Sequence, residues 1–338
     1  MSSNGVKVAE EWILGPNNTP FFTTTWSPAD AEPKAYLLFV HGFAEHIGRY
    51  ADFIARLAAE PYNLYVLAFD QRGHGKTSMM PLTASDPQVV KWKEEGKTVK
   101  LEKNGKRRTG GWARVMPDLE WFVQHLSKPA KEAGKKLFLW GFSMGGGEVI
   151  GFVTRSQSPP SEETVKLVDG VIAGGPLIKL TTPAPGIQVH AGSIAASIGL
   201  GSFLIPTQLK YEHLSHNTAA NEANKKDPLC EQVGSLRGVA DMINLGGLLI
   251  SSGPLEKFPQ DMPLLVYHGE EDKICSPEAA KEFVDKCNAK DKTIHLFKGM
   301  YHEVHNELEP TPTDAAKLIG DWVLARAEVT TAANQAKL

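Results

Sequence analysis

Residues 137–152 read LFLWGFSMGGGEVIGF. The run opens with a short, continuously apolar segment of the kind found in strands buried on both faces, and it closes on apolar residues at helical length. Between the two, Gly141-Phe142-Ser143-Met144-Gly145 matches G-x-S-x-G, followed by Gly146 and Gly147. A strand that turns at once into a helix forces the serine into a strained backbone conformation. Side chains at positions 141 and 145 would clash in such a turn. The pattern predicts a serine hydroxyl lifted above a sheet edge, with a helix N-terminus aimed beside it.

The rest of the chain supplies a sheet for that turn. AYLLFV (Ala35–Val40), NLYVLAF (63–69), LVDGVIAG (167–174), PLLVYH (263–268) and KTIHLF (Lys292–Phe297) are further short apolar runs bounded by turn residues. Helical patterns lie between them; Trp112, Val115, Met116, Leu119, Phe122, Val123 and Leu126 repeat at a spacing that makes one apolar face. PEAAKEFVDKC and DAAKLIGDWVLARA read as later helices. Alternating strands and helices predict an α/β fold with a mostly parallel sheet flanked by helices. VKVAEEWIL and PFFTTTW alternate more and predict an antiparallel start. We expect a core of residues 1–175 and 256–338, interrupted by a mostly helical cap at 176–255. Within the core, the basic segment 91–111 reads as a surface hairpin or loop, with Asn104-Gly105 as the candidate turn.

Composition removes other classes. In 338 residues, 42% hydrophobic and 22% charged, a sizeable core is available, and a formal charge of −3 gives no long-range attraction for nucleic acid. The three cysteines, Cys230, Cys275 and Cys287, lack metal-ligand spacing and read as free thiols of a reducing compartment. The N-terminal stretch shows no secretory signal, and the longest apolar run is too short to span a bilayer. A cytoplasmic protein is expected. The final Ala336-Lys337-Leu338 is close to the S-K-L peroxisomal address and makes that compartment the alternative.

A serine hydroxyl needs a base, and the base needs an orienting acid. In a fold of this order the acid and then the histidine follow the serine, on loops after late strands. GEEDKICSP after PLLVYH offers Glu270, Glu271 and Asp272; MYHEVHNE after KTIHLF offers His302 and His305. An oxyanion needs two backbone N–H donors. Met144 is placed to give one, and Phe43, in the HGFAEHIGRY loop after AYLLFV, the other. No metal or organic cofactor is required by this set.

HGFAEHIGRY, FDQRGHGKTS, LWGFSMGGG, GGPLI, DPL, HGEEDKICSP and YHEVHNE together resemble the monoacylglycerol lipases of the α/β-hydrolase superfamily, in the same order and over residues of about 35 to 322. The resemblance implies Ser143 as nucleophile, Asp272 as acid and His302 as base, and assigns His305 to the glycerol moiety. It places Glu45 and Arg49 at the polar end of the pocket, where Arg49 either meets the head group or bridges to Glu45. Cys275 falls where the family keeps a thiol near the substrate channel. Asn224 stands where a tyrosine is frequent. The implied reaction is hydrolysis of monoacylglycerol to fatty acid and glycerol through an acyl-enzyme. A lysophospholipase or general carboxylesterase is the alternative, and a non-catalytic binding protein is disfavoured because no triad member is missing. The apolar run at 185–209 is expected to line an acyl tunnel and rest on a membrane or lipid-droplet surface.

Overall fold

The computed structural model describes residues 2–3, 5–102, 104–183, 196–207 and 209–335. Its strands are β1 (Ser2–Ser3), β2 (Val6–Leu14), β3 (Pro20–Pro28), β4 (Ala35–Val40), β5 (Leu64–Phe69), β6 (Leu137–Phe142), β7 (Gly170–Gly174), β8 (Leu204–Pro206), β9 (Val233–Ser235), β10 (Leu264–Gly269) and β11 (Lys292–Phe297). Nine of them form one sheet in the order β1-β2-β3-β5-β4-β6-β7-β10-β11. From β5 to β11 every neighbouring pair is parallel, whereas β1, β2 and β3 enter antiparallel. The expected antiparallel start is present.

The runs of the inner strands β4, β6, β7 and β10 are buried on both faces because each residue has a helix layer to face, whereas β11, at the sheet edge, is largely uncovered. Leu38, Val40, Leu139, Val171 and Val266 point into one cluster with Met116, Phe122 and Val123 of the helix Trp112–Glu132. Their neighbours Leu37, Phe39, Trp140, Ile172 and Leu265 point into the other, with Phe53, Ile54 and Leu57 of the helix Ala51–Ala58 and Ile319 of the helix Thr311–Gln335. The two-residue period of a strand thus divides one run between two cores. Each such side chain contributes about 1.5–3 kcal/mol when fully buried.

Of the hairpin and the loop expected at 91–111, the loop is present: the segment contains no strand among its described residues. Residues 91–94 end the helix Pro87–Glu94, and the remainder is an irregular loop with local turns that also bonds outward. The Lys100 N–H donates to the Asn18 carbonyl and the Arg107 N–H to that of Gly73, while Arg72 pairs with Glu102 at 2.6 Å. Arg107 is only 2% exposed, and its guanidinium donates to the carbonyls of Leu229 (3.0 Å) and Pro228 (3.3 Å). With both partners of a would-be hairpin engaged elsewhere, no ladder forms, and Arg107 is a buried clasp rather than a surface charge.

The described part of 176–255 contains the helical turns Ala196–Leu200 and Tyr211–His213 and the helices Thr218–Lys226, Leu236–Leu248 and Ser252–Lys257, with the short antiparallel pair β8–β9 beside them. Ser202, beside this pair, accepts at its carbonyl from Arg108 Nε at 2.8 Å. Residues 185–195 and 208 of the apolar run and the C-terminal tripeptide at 336–338 lie outside the described residues. Among those described, no helix is long and apolar enough to cross a membrane.

Candidate active site

Strand β6 delivers Ser143 to the top of the sheet, where it becomes the N-cap of the helix Met144–Thr154 with φ 55 and ψ −117. This left-handed conformation is unfavourable for a residue with a side chain, and the surroundings enforce it. The Ser143 N–H donates to the Gly174 carbonyl at 2.8 Å, and the Ser143 carbonyl accepts from Gly147 N–H at 3.0 Å. A Cβ on Gly141 would stand 2.2 Å from the Gly145 carbonyl oxygen, and one on Gly145 would stand 2.2 Å from that of Val40. The glycines flanking the serine are therefore steric requirements. Gly145→Ala is expected to cost about 1–3 kcal/mol in denaturant unfolding, because the helix must be pushed off β4. An unchanged unfolding midpoint would show that the elbow has slack.

His302 and Asp272 reach the same point from the loops after β11 and β10. His302 Nε2 lies 2.9 Å from Ser143 Oγ, and His302 Nδ1 lies 2.6 Å from Asp272 Oδ2. The carboxylate can only accept, so Nδ1 carries the proton and Nε2 presents a lone pair to the serine hydroxyl. Asp272 and His302 are both buried. Burial opposes charge on the Asp272 carboxyl, but the His302 imidazole beside it and the hydrogen bonds it receives hold it well below the usual carboxylate range. Burial likewise opposes charging His302, and the adjacent Asp272 more than offsets this, raising its proton affinity above the ordinary histidine value. Glu270 and Glu271, the alternative acids, are exposed on the same loop.

The loop after β4 closes the other side. His41 Nε2 accepts the Gln71 N–H at 2.9 Å, so Nδ1 bears the proton and donates to the Gly42 carbonyl at 2.8 Å. Gly42 passes so near the nucleophile that a Cβ on it would be 3.0 Å from the Ser143 Cβ. Its own N–H is taken by Glu45 Oε1 at 2.5 Å and is not available as an oxyanion donor. Met144 opens its helix, where an N–H has no intrahelical acceptor.

Phe43, Phe142, Ser143, Leu214, Ile274 and His302 line an open cleft together with Glu45, Arg49, Asn224, Cys230, Gln232 and Glu303. Arg49 bonds Glu45 Oε2 (2.6 Å) and both oxygens of Glu303 (2.7 and 2.6 Å). Of the two readings of Arg49, the ion pair with Glu45 is present, and Glu303 completes it. Burial would raise the Glu303 carboxyl, but Arg49 holds it down to about 2. Glu303 is missing from the sequence reading, although its place directly after the candidate base was a usable signal. His268 is missing as well; it ends β10 four residues before Asp272, and its Nε2 lies 2.9 Å from Asp272 Oδ2.

His305 is not on the cleft wall. Its ring stacks on Tyr50 at 4.4 Å and meets Phe142 edge-on at 4.6 Å. Both its nitrogens are buried with no hydrogen-bond partner among the described residues, and burial pushes its proton affinity down to about 3. Cys275 is fully buried, and burial raises its thiol well above the ordinary value.

One trio among the described residues has the chemistry of a metal site: His46, Asp227 and Cys230, with ligand atoms within 4.8 Å of one another. However, His46 Nδ1 accepts the Gly48 N–H at 3.2 Å, so Nε2 carries the proton and donates to Asp227 Oδ2 at 2.8 Å. The nitrogen facing the trio is thus a donor, and the arrangement is a hydrogen-bonded pair beside a thiol.

A parallel sheet with a serine on a strained strand-to-helix turn, and a histidine and aspartate in bonding sequence on later loops, defines the α/β-hydrolase class. The model of the serine aminopeptidase S33 family of hydrolases matches residues 31–309, and the chain belongs to that family. A Schizosaccharomyces pombe protein that carries monoglyceride lipase as a provisional name is 29% identical over 306 residues, 89% of this chain and 70% of the relative. The Saccharomyces cerevisiae monoglyceride lipase is 26% identical over 81% of this chain and 79% of its own length. A crystal structure of a soluble variant of monoglyceride lipase from Saccharomyces cerevisiae superposes with a TM-score of 0.78 at 22% identity, covering 96% of this chain and 97% of that one.

Proposed function

We propose that this chain hydrolyses monoacylglycerol to fatty acid and glycerol, with Ser143 as nucleophile, His302 as general base and acid, and Asp272 as the orienting acid. The unbroken row Ser143–His302–Asp272 carries the reading. His302 Nε2 takes the hydroxyl proton as Oγ attacks the ester carbonyl. The N–H groups of Phe43 and Met144 receive the oxyanion, and collapse expels glycerol, protonated by His302. Water, deprotonated by the same nitrogen, then attacks the acyl-enzyme, and the fatty acid leaves as Oγ recovers its proton. Asp272 keeps the imidazole in the Nδ1–H tautomer and stabilises its cation.

The cleft favours an ester over a peptide with a free amino terminus. An aminopeptidase needs a carboxylate free to meet the substrate's ammonium group, and Glu45 and Glu303 both spend carboxylate oxygens on Arg49. Glu45, Arg49, Asn224 and Gln232 give the cleft a polar end suited to glycerol, while Phe43, Leu209, Leu214 and Ile274 give it an apolar one. His305, from its place behind Tyr50, would support that end rather than touch it. Relatives named monoglyceride lipase in two yeasts favour this head group over that of a lysophospholipid. A competition among mono-, di- and triacylglycerol, lysophospholipid and a short ester tests it: monoacylglycerol should show the highest kcat/KM, and a lysophospholipid or short ester ranking first would replace the reading. The acid limb of kcat/KM should lie above pH 6.5, since His302 must be neutral to act and Asp272 raises its proton affinity. A limb well below that value would place the base elsewhere.

The exposed apolar residues of the cap favour a peripheral membrane or lipid-droplet role. Ile198, Leu200, Phe203, Leu204 and Leu248 are exposed, from 38% to 71%, on its described elements. The serine substitutions Leu200→Ser and Phe203→Ser should weaken partition onto liposomes and spare hydrolysis of a soluble short ester. Unchanged partition removes the cap from that role.

A further inference from the structure

Asp272 is held by more than His302. Its Oδ1 accepts the backbone N–H groups of Ile274 (2.7 Å) and Cys275 (3.0 Å). Its Oδ2 accepts from His302 Nδ1 and lies 2.9 Å from His268 Nε2, which is also 3.0 Å from the Cys275 carbonyl oxygen. Both neighbours of that nitrogen are acceptors, so Nε2 carries the proton and donates to the two of them. Nδ1 of the same ring is buried with no hydrogen-bond partner among the described residues. A second proton there would have no acceptor, so the His268 ring is the neutral Nε2–H tautomer. An orphaned buried nitrogen is costly, and an apolar side chain at this fully buried strand position would avoid it. The donor at Nε2 is what offsets the cost.

We infer that His268 is a positioning residue: its Nε2–H fills the remaining lone pair of Asp272, fixes the carboxylate plane toward His302 and draws part of its charge away from that imidazole. The inference rests on the catalytic reading of the Ser143–His302–Asp272 row, and His268 acts only through Asp272. Strand β10, packed between β7 and β11, supplies the rigidity. The charged groups facing His302 are Asp272, the adjacent Glu303, and Glu45 from the loop after β4, with Arg49 bonded between the two glutamates. Each carboxylate favours the protonated imidazole. A neutral donor on Asp272 opposes them and keeps more of His302 in its basic form near neutral pH.

The test compares three substitutions. H268M removes both nitrogens; H268Q returns an N–H donor near the place of Nε2; H268N extends only as far as Nδ1. The titration of His302 is followed by its ring Cε1–H resonance in substrate-free protein, assigned by its loss in H302A. In H268M and H268N the titration should move to higher pH by about 0.5–1 unit, and in H268Q it should stay within about 0.2 unit of the parent. At pH 6.5, kcat/KM should fall about three- to ten-fold in the first two and recover in H268Q. An unmoved titration in H268M and H268N, or H268Q titrating like H268M, would overturn the inference. If H268M does not fold, the H268N–H268Q pair decides alone. A protein that hydrolysed no ester would refute the catalytic reading yet leave the titration result standing.

Discussion

Alanine at position 143 is expected to lower kcat on monoacylglycerol by about 10⁴–10⁶-fold while leaving the unfolding transition where it is. The loss is large because the covalent route disappears altogether; the oxyanion donors and the cleft remain, but no group at the elbow can be acylated. Stability should hold, or rise slightly, since the short bond that the Ser143 hydroxyl gives up is the one to His302 Nε2 at 2.9 Å. The backbone strain at φ 55 persists with alanine. Activity within ten-fold of the parent would mean that another nucleophile serves the cleft. A large drop in stability would mean that Ser143 is structural.

The largest expected stability effect lies one step away, at Arg49. Its side chain is 9% exposed, and those of Glu45 and Glu303 are 5% and 3% exposed. Arg49→Met preserves bulk and removes the cation bonded to both carboxylates, which should cost about 3–5 kcal/mol. The sign of the pH dependence follows from Glu303. In the parent its proton affinity is depressed from 4.5 to about 2, so its stabilising contribution is complete above 4.5 and is lost only as pH falls toward 2. In Arg49→Met the two buried carboxylates would instead titrate above the unfolded value, and the deficit should shrink as pH falls from 8 to 5. Denaturant unfolding at those two values measures it. A variant as stable as the parent at pH 8, or a deficit that grows on acidification, would contradict this account of the cluster.

How far the sequence reveals this molecule depends on the range of the interactions involved. The strands around Leu38, Leu139, Val171 and Val266 are legible because a fully buried parallel strand imposes apolar character on both faces at once, a signal contained in six residues. The elbow at Ser143 is legible for a similar reason, since the glycines that avoid the Gly145 and Val40 carbonyls are its close neighbours in sequence. The basic segment around Arg107 is not. Val99, Leu101 and Asn104-Gly105 carry a local hairpin pattern, but the partners that decide the matter, the carbonyls of Asn18, Gly73, Pro228 and Leu229, lie up to 122 positions away. His305 fails in the same manner. The resemblance assigns it to the glycerol moiety, whereas Tyr50 and Phe53, on a distant segment, enclose the ring. Glu303 is decided by Arg49, which comes from the loop after β4, 254 positions away.

A fluorophosphonate reads the central claim directly, because it reacts only with a serine whose hydroxyl is activated by a base beside an oxyanion site. Tryptic mass spectrometry of the full chain should find a single stoichiometric adduct on the peptide bearing Ser143, and His302→Ala should abolish it. A parent protein left unlabelled, or an adduct on Ser143 that forms equally fast without His302, would contradict the account.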